Sequence, residues 1–369
     1  MVSGFWILVV FILALGGMIF VHELGHFLAC RWAKIEVEEF GFGLPSYKLV
    51  TLFKWQGTEF TIHALPLGGF VRPKGENDPN VPGGLAAASP WKRLVVLFAG
   101  PLMNLLTAVI VFSLLIAMEG VAISGPIHVQ EVSPDSPAEQ AGFEPGDSII
   151  AMNGQEITDV DQAITIIQAN LDEPIPVGVK RGDEEMTLTV TPLSARTERQ
   201  GAVGISLSPS TRPATAGEIL TGGVTITGYQ VATIAYLPVA LIQGAIEPNE
   251  ARVIGFKGIY DLFGIAVTED VQSRQEAAAA PSGASTRPSN WTLNIIAMLS
   301  VSLGVMNLLP IPALDGGRIL FTLPEILFRK RIPTEWENVV NGMAMLLLIA
   351  LMVFINVMDF VNPAQLPTP

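Results

Sequence analysis

From Phe5 to Leu28 the chain runs without a lysine, arginine or aspartate, yet its far half contains His22-Glu23-Leu24-Gly25-His26. An apolar stretch of this length reads as a membrane-crossing helix, and ionisable groups at that depth are costly unless they have a partner or a task. On a helix, residues four apart share a face, so both imidazoles can reach one metal ion. Glu23 stands beside them, placed to take a proton from water. The bland alternative is a pair of buried structural histidines that meet a glutamate by accident. Against it, the chain has only four histidines, and two of them are here. The run lacks a basic leader, and cleavage would destroy the motif, so it reads as a retained helix and not a signal peptide.

Half of the residues are hydrophobic and only 15% are charged, too apolar for an ordinary soluble enzyme. Four blocks are long enough to cross about 30 Å of hydrocarbon. They are Phe5–Leu28, Leu94–Met118, Trp291–Leu309 and Val339–Phe360. The lone cysteine, Cys30, excludes an intramolecular disulfide and a cysteine-based zinc cluster. A net charge of −13 with no basic patch speaks against nucleic acid as a partner.

Charge placement gives the orientation. Residues 119–289 hold 22 acidic and 9 basic side chains, whereas 30–93 hold 8 basic and 6 acidic. Basic residues mark the cytoplasmic side, which puts 30–93 and Arg329-Lys330-Arg331 inside. The acidic middle and both termini then lie outside. The uncharged run Ile219–Ile246 is a possible fifth span. Its threonines, glycines and glutamines, and the flip in parity a crossing would impose, favour a helix lying on the membrane surface.

The cytoplasmic loop carries Phe40-Gly41-Phe42-Gly43 and a strand-like run from Thr58 to Val71, expected to form hairpins that dip against the membrane. A strand held beside a metal site can pair its edge with an extended peptide; it can also merely pack under the helices. By pattern alone, His63 in this run is a structural or solvated histidine and not a ligand. Asn104, in Gly100-Pro101-Leu102-Met103-Asn104, is either a hydrogen bonder between helices or part of the site. The third block ends in Asn307-Leu308-Leu309-Pro310-Ile311-Pro312-Ala313-Leu314-Asp315-Gly316-Gly317. Asp315 is either a turn residue or a third metal ligand. Two histidines, a carboxylate and a place left for water form the donor set of a catalytic zinc site. In a four-span chain His22, His26 and Asp315 fall at similar depth.

Residues 125–194 alternate strand and helix signals around Ser136-Pro137-Ala138-Glu139-Gln140-Ala141-Gly142, Glu144-Pro145-Gly146-Asp147 and a hairpin at Arg181-Gly182-Asp183. This order resembles a bacterial PDZ domain, a module that binds extended peptides. The residues from Glu276 to Ser289, rich in alanine, serine and proline, are expected to be a flexible linker.

Together, the His22–His26 motif, Gly41-Phe42-Gly43, Gly100 to Asn104, the inserted domain and Asn307 to Gly316 resemble the site-2 protease family. These are intramembrane zinc metalloproteases, and the likeness is to the bacterial branch that carries PDZ domains. The resemblance implies one catalytic zinc ion on His22, His26 and Asp315, with Glu23 as general base. It implies that Asn307 holds the substrate backbone or its oxyanion near the metal, that the strand around His63, Ala64 and Leu65 to Leu67 clamps the substrate, and that Asn104 adjoins it. It implies that 213–262 form an amphipathic helix region. Substrates are then single-pass membrane proteins already cut by another protease, such as anti-sigma factors or remnant signal peptides. The location implied is a bacterial inner membrane. One departure is that a single PDZ domain is visible where well-known members carry two in tandem.

The expected fold is thus a polytopic α-helical membrane protein with four transmembrane helices, a membrane-associated β-hairpin region and an inserted α+β PDZ domain. The segments are 1–29 (first span), 30–93 (cytoplasmic β-rich loop), 94–118 (second span) and 121–208 (PDZ domain). They continue with 209–290 (surface helix and linker), 291–312 (third span), 313–336 (ligand loop and cytoplasmic segment) and 337–360 (fourth span). A membrane scaffold and a zinc transporter are the rival readings. The transporter needs polar residues along a whole path, and here they cluster at one level.

Overall fold

Helix α1, Gly4–Ala33, has almost no polar residue to define a wet face, and its outer side chains stand clear of the protein. Leu13 on α1 and Leu346 and Leu347 on α9 (Thr334–Val361) are each 70% exposed. Water penalises such continuous apolar faces, and lipid does not. A computed structural model describes residues 2–65, 68–194, 201–245, 253–279 and 288–363.

After α1 come β1 (Val37–Phe42), β2 (Lys48–Trp55), β3 (Thr58–His63) and β4 (Gly69–Pro73), then α2 (Pro90–Glu119). The strands form one sheet in the order β2-β3-β1-β4, with β1 and β3 parallel and the other pairs antiparallel. Its edges are therefore β2 and β4. Aromatic rings dock it on α1, with Phe27 of the helix 5.8 Å from Phe40 and 5.9 Å from Phe60 between ring centres. Along β2, Leu49, Leu52, Phe53 and Trp55 are exposed, an apolar edge suited to lying against lipid.

Two compact units divide the chain. Of the described residues, one takes those within 2–114, 220–267 and 292–363, and the other those within 115–219 and 268–291. The second unit contains β5 (Val121–Ala122), β6 (Ile127–Val132), α3 (Pro137–Ala141), β7 (Ser148–Met152), β8 (Gln155–Glu156) and α4 (Val160–Ala169). It continues with β9 (Ile175–Arg181), β10 (Glu184–Val190), β11 (Ile205–Ser208) and β12 (Thr211–Arg212). The main sheet runs β10-β9-β7-β6-β11, closed over a core of Ile127, Val129, Ile149, Val177 and Val179, against which Ala138 of α3 and Ala163 of α4 pack. The Glu-Pro-Gly-Asp turn is pinned from within: Asp147, 1% exposed, accepts two hydrogen bonds from the Arg181 guanidinium at 2.7 and 2.8 Å.

The first unit is completed by α5 (Ala216–Ile242), α6 (Phe256–Ala279), α7 (Trp291–Leu308), α8 (Asp315–Phe328) and α9, with α2, α5 and α6 each continuing into the second. Among the described residues five helices, α1, α2, α5, α7 and α9, are long and apolar enough to cross a membrane. Four were expected, and α5 is the run read as surface-lying.

Helix α2 continues through Pro101, which forfeits one backbone bond without ending the helix. One local expectation changes. The expected linker is helical up to Ala279, where three alanines favour the helix, and residues 280–287 lie outside the described residues.

Candidate metal centre

The centre is built where α1 and α2 cross. On α2, Val96, Gly100 and Asn104 recur every four residues, and this stripe lies along the His22–His26 face of α1. Gly100 makes the approach feasible, because a Cβ there would sit 2.3 Å from His26 Nε2. The His26 ring then donates from Nδ1 to the Val96 carbonyl at 2.8 Å, which leaves the Nε2 lone pair facing inward. At His22, the Nδ1 side faces the Asn104 amide at 3.3 Å.

The third group arrives from the other end of the chain. Helix α7 stops at Leu308, the backbone turns through Pro310 and Pro312, and α8 opens with Asp315. Gly316 lets the first turn of α8 fold back on the end of α7, since a Cβ there would meet the Leu309 carbonyl oxygen at 2.1 Å. Ala313 sits at φ 75°, an uncommon conformation for a residue with a side chain, and its N–H donates to Asn341 Oδ1 of α9 at 3.0 Å. From α8, Arg318 reaches Glu76 and, at 3.2 Å, Asn77.

Asp315 Oδ2 lies 3.2 Å from His22 Nε2 and 3.3 Å from His26 Nε2, and the two Nε2 atoms are 3.2 Å apart. Among the described residues this is the group of histidine, cysteine and carboxylate side chains that can hold a metal ion. Three lone-pair atoms converging this closely repel one another without a cation between them. Their spacing also fits zinc: tetrahedral ligands at about 2.0–2.1 Å from an ion are separated by about 3.3–3.4 Å.

Glu23 and Asn307 line the same cleft, of about 600 Å³, with His22, His26, Phe70, Val71 and Asp315. Val71 lines this cleft beside Glu23. Among the described residues this strand, β4, pairs with β1 alone, and no strand lies along its other edge.

His63, Ala64 and Leu65 stand apart from this group. Strand β3 lies inside the sheet, between β2 and β1, and His63 at its end pairs with Lys48 of β2. Its ring is buried and bonds Glu39 at 3.0 Å, the Ala64 N–H goes to the Tyr47 carbonyl, and the Leu65 carbonyl accepts from Leu44. Pro66 and Leu67 lie outside the described residues. Burial pushes the Glu39 carboxyl up, but hydrogen bonds from His63 and Thr61 and the Arg72 charge outweigh it and hold it below the ordinary carboxylate range. The cluster braces β4, since Arg72 belongs to that strand and Phe70 packs edge-on against His63 at 5.0 Å. The Val96 carbonyl and the open edge of β4 carry no side-chain signature, so motif reading does not find them.

Residues 10–351 match the sequence model of peptidase family M50. A protein of Clostridium perfringens bearing a zinc-metalloprotease name is 34% identical over 95% of this chain and 98% of its own length. Another so named, from Agrobacterium fabrum, is 30% identical over 94% of this chain and 93% of its own. Among solved structures, the PDZ domain of an SdrC-like protein from Listeria monocytogenes matches 24% of this chain and 90% of its own length, at 22% identity and a TM-score of 0.21.

Proposed function

The chain belongs to peptidase family M50, the site-2 protease family, and from that premise we propose that it cleaves single-pass membrane proteins within or near their transmembrane segments. It is a multi-pass membrane zinc metalloprotease. In our reading His22, His26 and Asp315 hold the zinc ion and Glu23 is the general base. The observation that carries this is the convergence of two Nε2 atoms and one carboxylate oxygen within 3.3 Å of one another.

A zinc ion held there would polarise a carbonyl as a Lewis acid and lower the pKa of water to about 7. Glu23 takes the proton of the attacking water and passes it to the leaving amide nitrogen. Asn307, on the same cleft, steadies the substrate backbone. A transmembrane helix keeps its amides in internal hydrogen bonds, so it must unwind before it is cut. The open edge of β4 can replace the lost bonds by strand addition, which moves the clamp from His63, Ala64 and Leu65 to Gly69–Pro73.

The six-stranded unit acts as a PDZ domain outside the membrane, admitting substrates whose outer part another protease has already trimmed, such as anti-sigma factors or remnant signal peptides. The reading includes a bacterial inner membrane, four spans, α5 on the outer surface, and regulated intramembrane proteolysis as the setting. The test is a pair of variants of the purified protein given a single-pass substrate. Glu23→Gln is expected to keep zinc and lose cleavage, and Asp315→Asn to weaken zinc binding. Undiminished cleavage by Glu23→Gln would falsify the assigned base.

A further inference from the structure

Asn104 is 1% exposed, its Nδ2 stands 3.3 Å from His22 Nδ1, and its Oδ1 is buried with no hydrogen-bond partner among the described residues. A contact serving only to pack α1 on α2 leaves that oxygen unexplained, because buried polar atoms nearly always find partners. The chemistry of His22 supplies one. Its Nε2 faces Asp315 and His26, so a ring that binds an ion through Nε2 carries its proton on Nδ1 and must donate it. The amide's nitrogen and oxygen are alike in shape, and a half-turn of the side chain brings Oδ1 to the position facing Nδ1. His26 already has the equivalent acceptor in the Val96 carbonyl, at 2.8 Å.

We propose that Asn104 is a positioning residue for His22: its side-chain oxygen accepts the Nδ1 proton, fixing the tautomer and tilt of the ring that presents Nε2 to zinc. This rests on the reading of His22 as a zinc ligand. It gives the two histidines matched supports four residues to either side of Gly100, a main-chain oxygen for one and a side-chain oxygen for the other. Asn104 is then a support of the metal centre and not a contact to the substrate.

The test measures zinc affinity by chelator competition on the full chain in detergent, alongside kcat and KM, for Asn104→Leu, Asn104→Asp and His22→Ala. Leucine keeps the bulk and lacks the acceptor, so zinc should bind roughly 10–100-fold more weakly. Aspartate is an acceptor only, and it should hold zinc within about threefold of the parent chain, as carboxylate–histidine–zinc arrangements do. His22→Ala should lose zinc. If Asn104→Leu binds zinc like the parent while His22→Ala does not, the positioning role is wrong and the ligand reading survives. If kcat or KM changes in Asn104→Leu at unaltered zinc affinity, Asn104 serves the substrate and the proposal fails. If Asn104→Asp loses zinc as leucine does, an acceptor was not what His22 required. Full zinc affinity in His22→Ala overturns the ligand reading itself, and the proposal with it.

Discussion

Gly100 sets the distance between the two helices that carry most of the site. A methyl group there would meet a ring held in place by its bond to the Val96 carbonyl, so the ring or the helix must move. Gly100→Ala is expected to cost about 1–3 kcal/mol of stability through overpacking. It should also weaken zinc binding roughly tenfold, as displaced supports of metal ligands do. Thermal unfolding and chelator competition on the same sample check both, and an unaltered zinc affinity would show that the crossing tolerates a wider gap. At this scale much of the geometry could be read in advance. The spacing of His22 and His26 puts them on one helix face, and the proline-rich break before Asp315 marks a carboxylate at the end of a span. The orienting groups were not legible, because a main-chain carbonyl has no letter in the sequence. Asn104 meets His22 only through the angle at which two helices cross.

Strand β4 is the element that joins the sheet to the chemistry. Because Val71 lies on the edge strand β4, proline at this position should leave the sheet largely intact, as proline does on the open side of an edge strand. Val71→Pro is therefore expected to retain zinc and structure while cleavage falls roughly tenfold, the worth of one hydrogen bond lost in the transition state. Wild-type cleavage of a single-pass substrate by this variant would remove β4 from the mechanism. The presence of strands between the first two spans was legible from alternating apolar residues and glycines. Their order was not. The parallel pairing of β1 with β3 buries the strand that looked most like a clamp, and it leaves the shorter β4 at the edge. Sequence periodicity says which face of a strand is apolar, not which strand is last in the sheet.

For the molecule as a whole, the path after α5 bears on how many times the chain crosses the bilayer. Gly255 and Gly258 donate to Asp359 at 2.7 and 3.2 Å, and the Tyr260 hydroxyl reaches the Gly4 carbonyl at 3.4 Å. Helix α6 thus starts beside the beginning of α1 and the end of α9. Only residues 243–255 separate it from α5, too few for the ~20-residue helix a return crossing needs. The lone cysteine, Cys30, is buried, so introduced cysteines can report sidedness. In spheroplasts, an impermeant maleimide should label Asp183→Cys and Gly244→Cys directly, and Lys330→Cys only after lysis. Labelling of Gly244→Cys only after lysis would make α5 a span. The number of long apolar helices was nearly legible from hydropathy, and α5 escaped because length and composition alone do not say whether a helix crosses. One consequence reaches beyond the finished enzyme. On the proposed reading, two of the three zinc donors are made at residues 22 and 26 and the last only at residue 315. Until Asp315 has been added the nascent chain lacks a complete donor set, so its power to cut waits on a residue far along the chain.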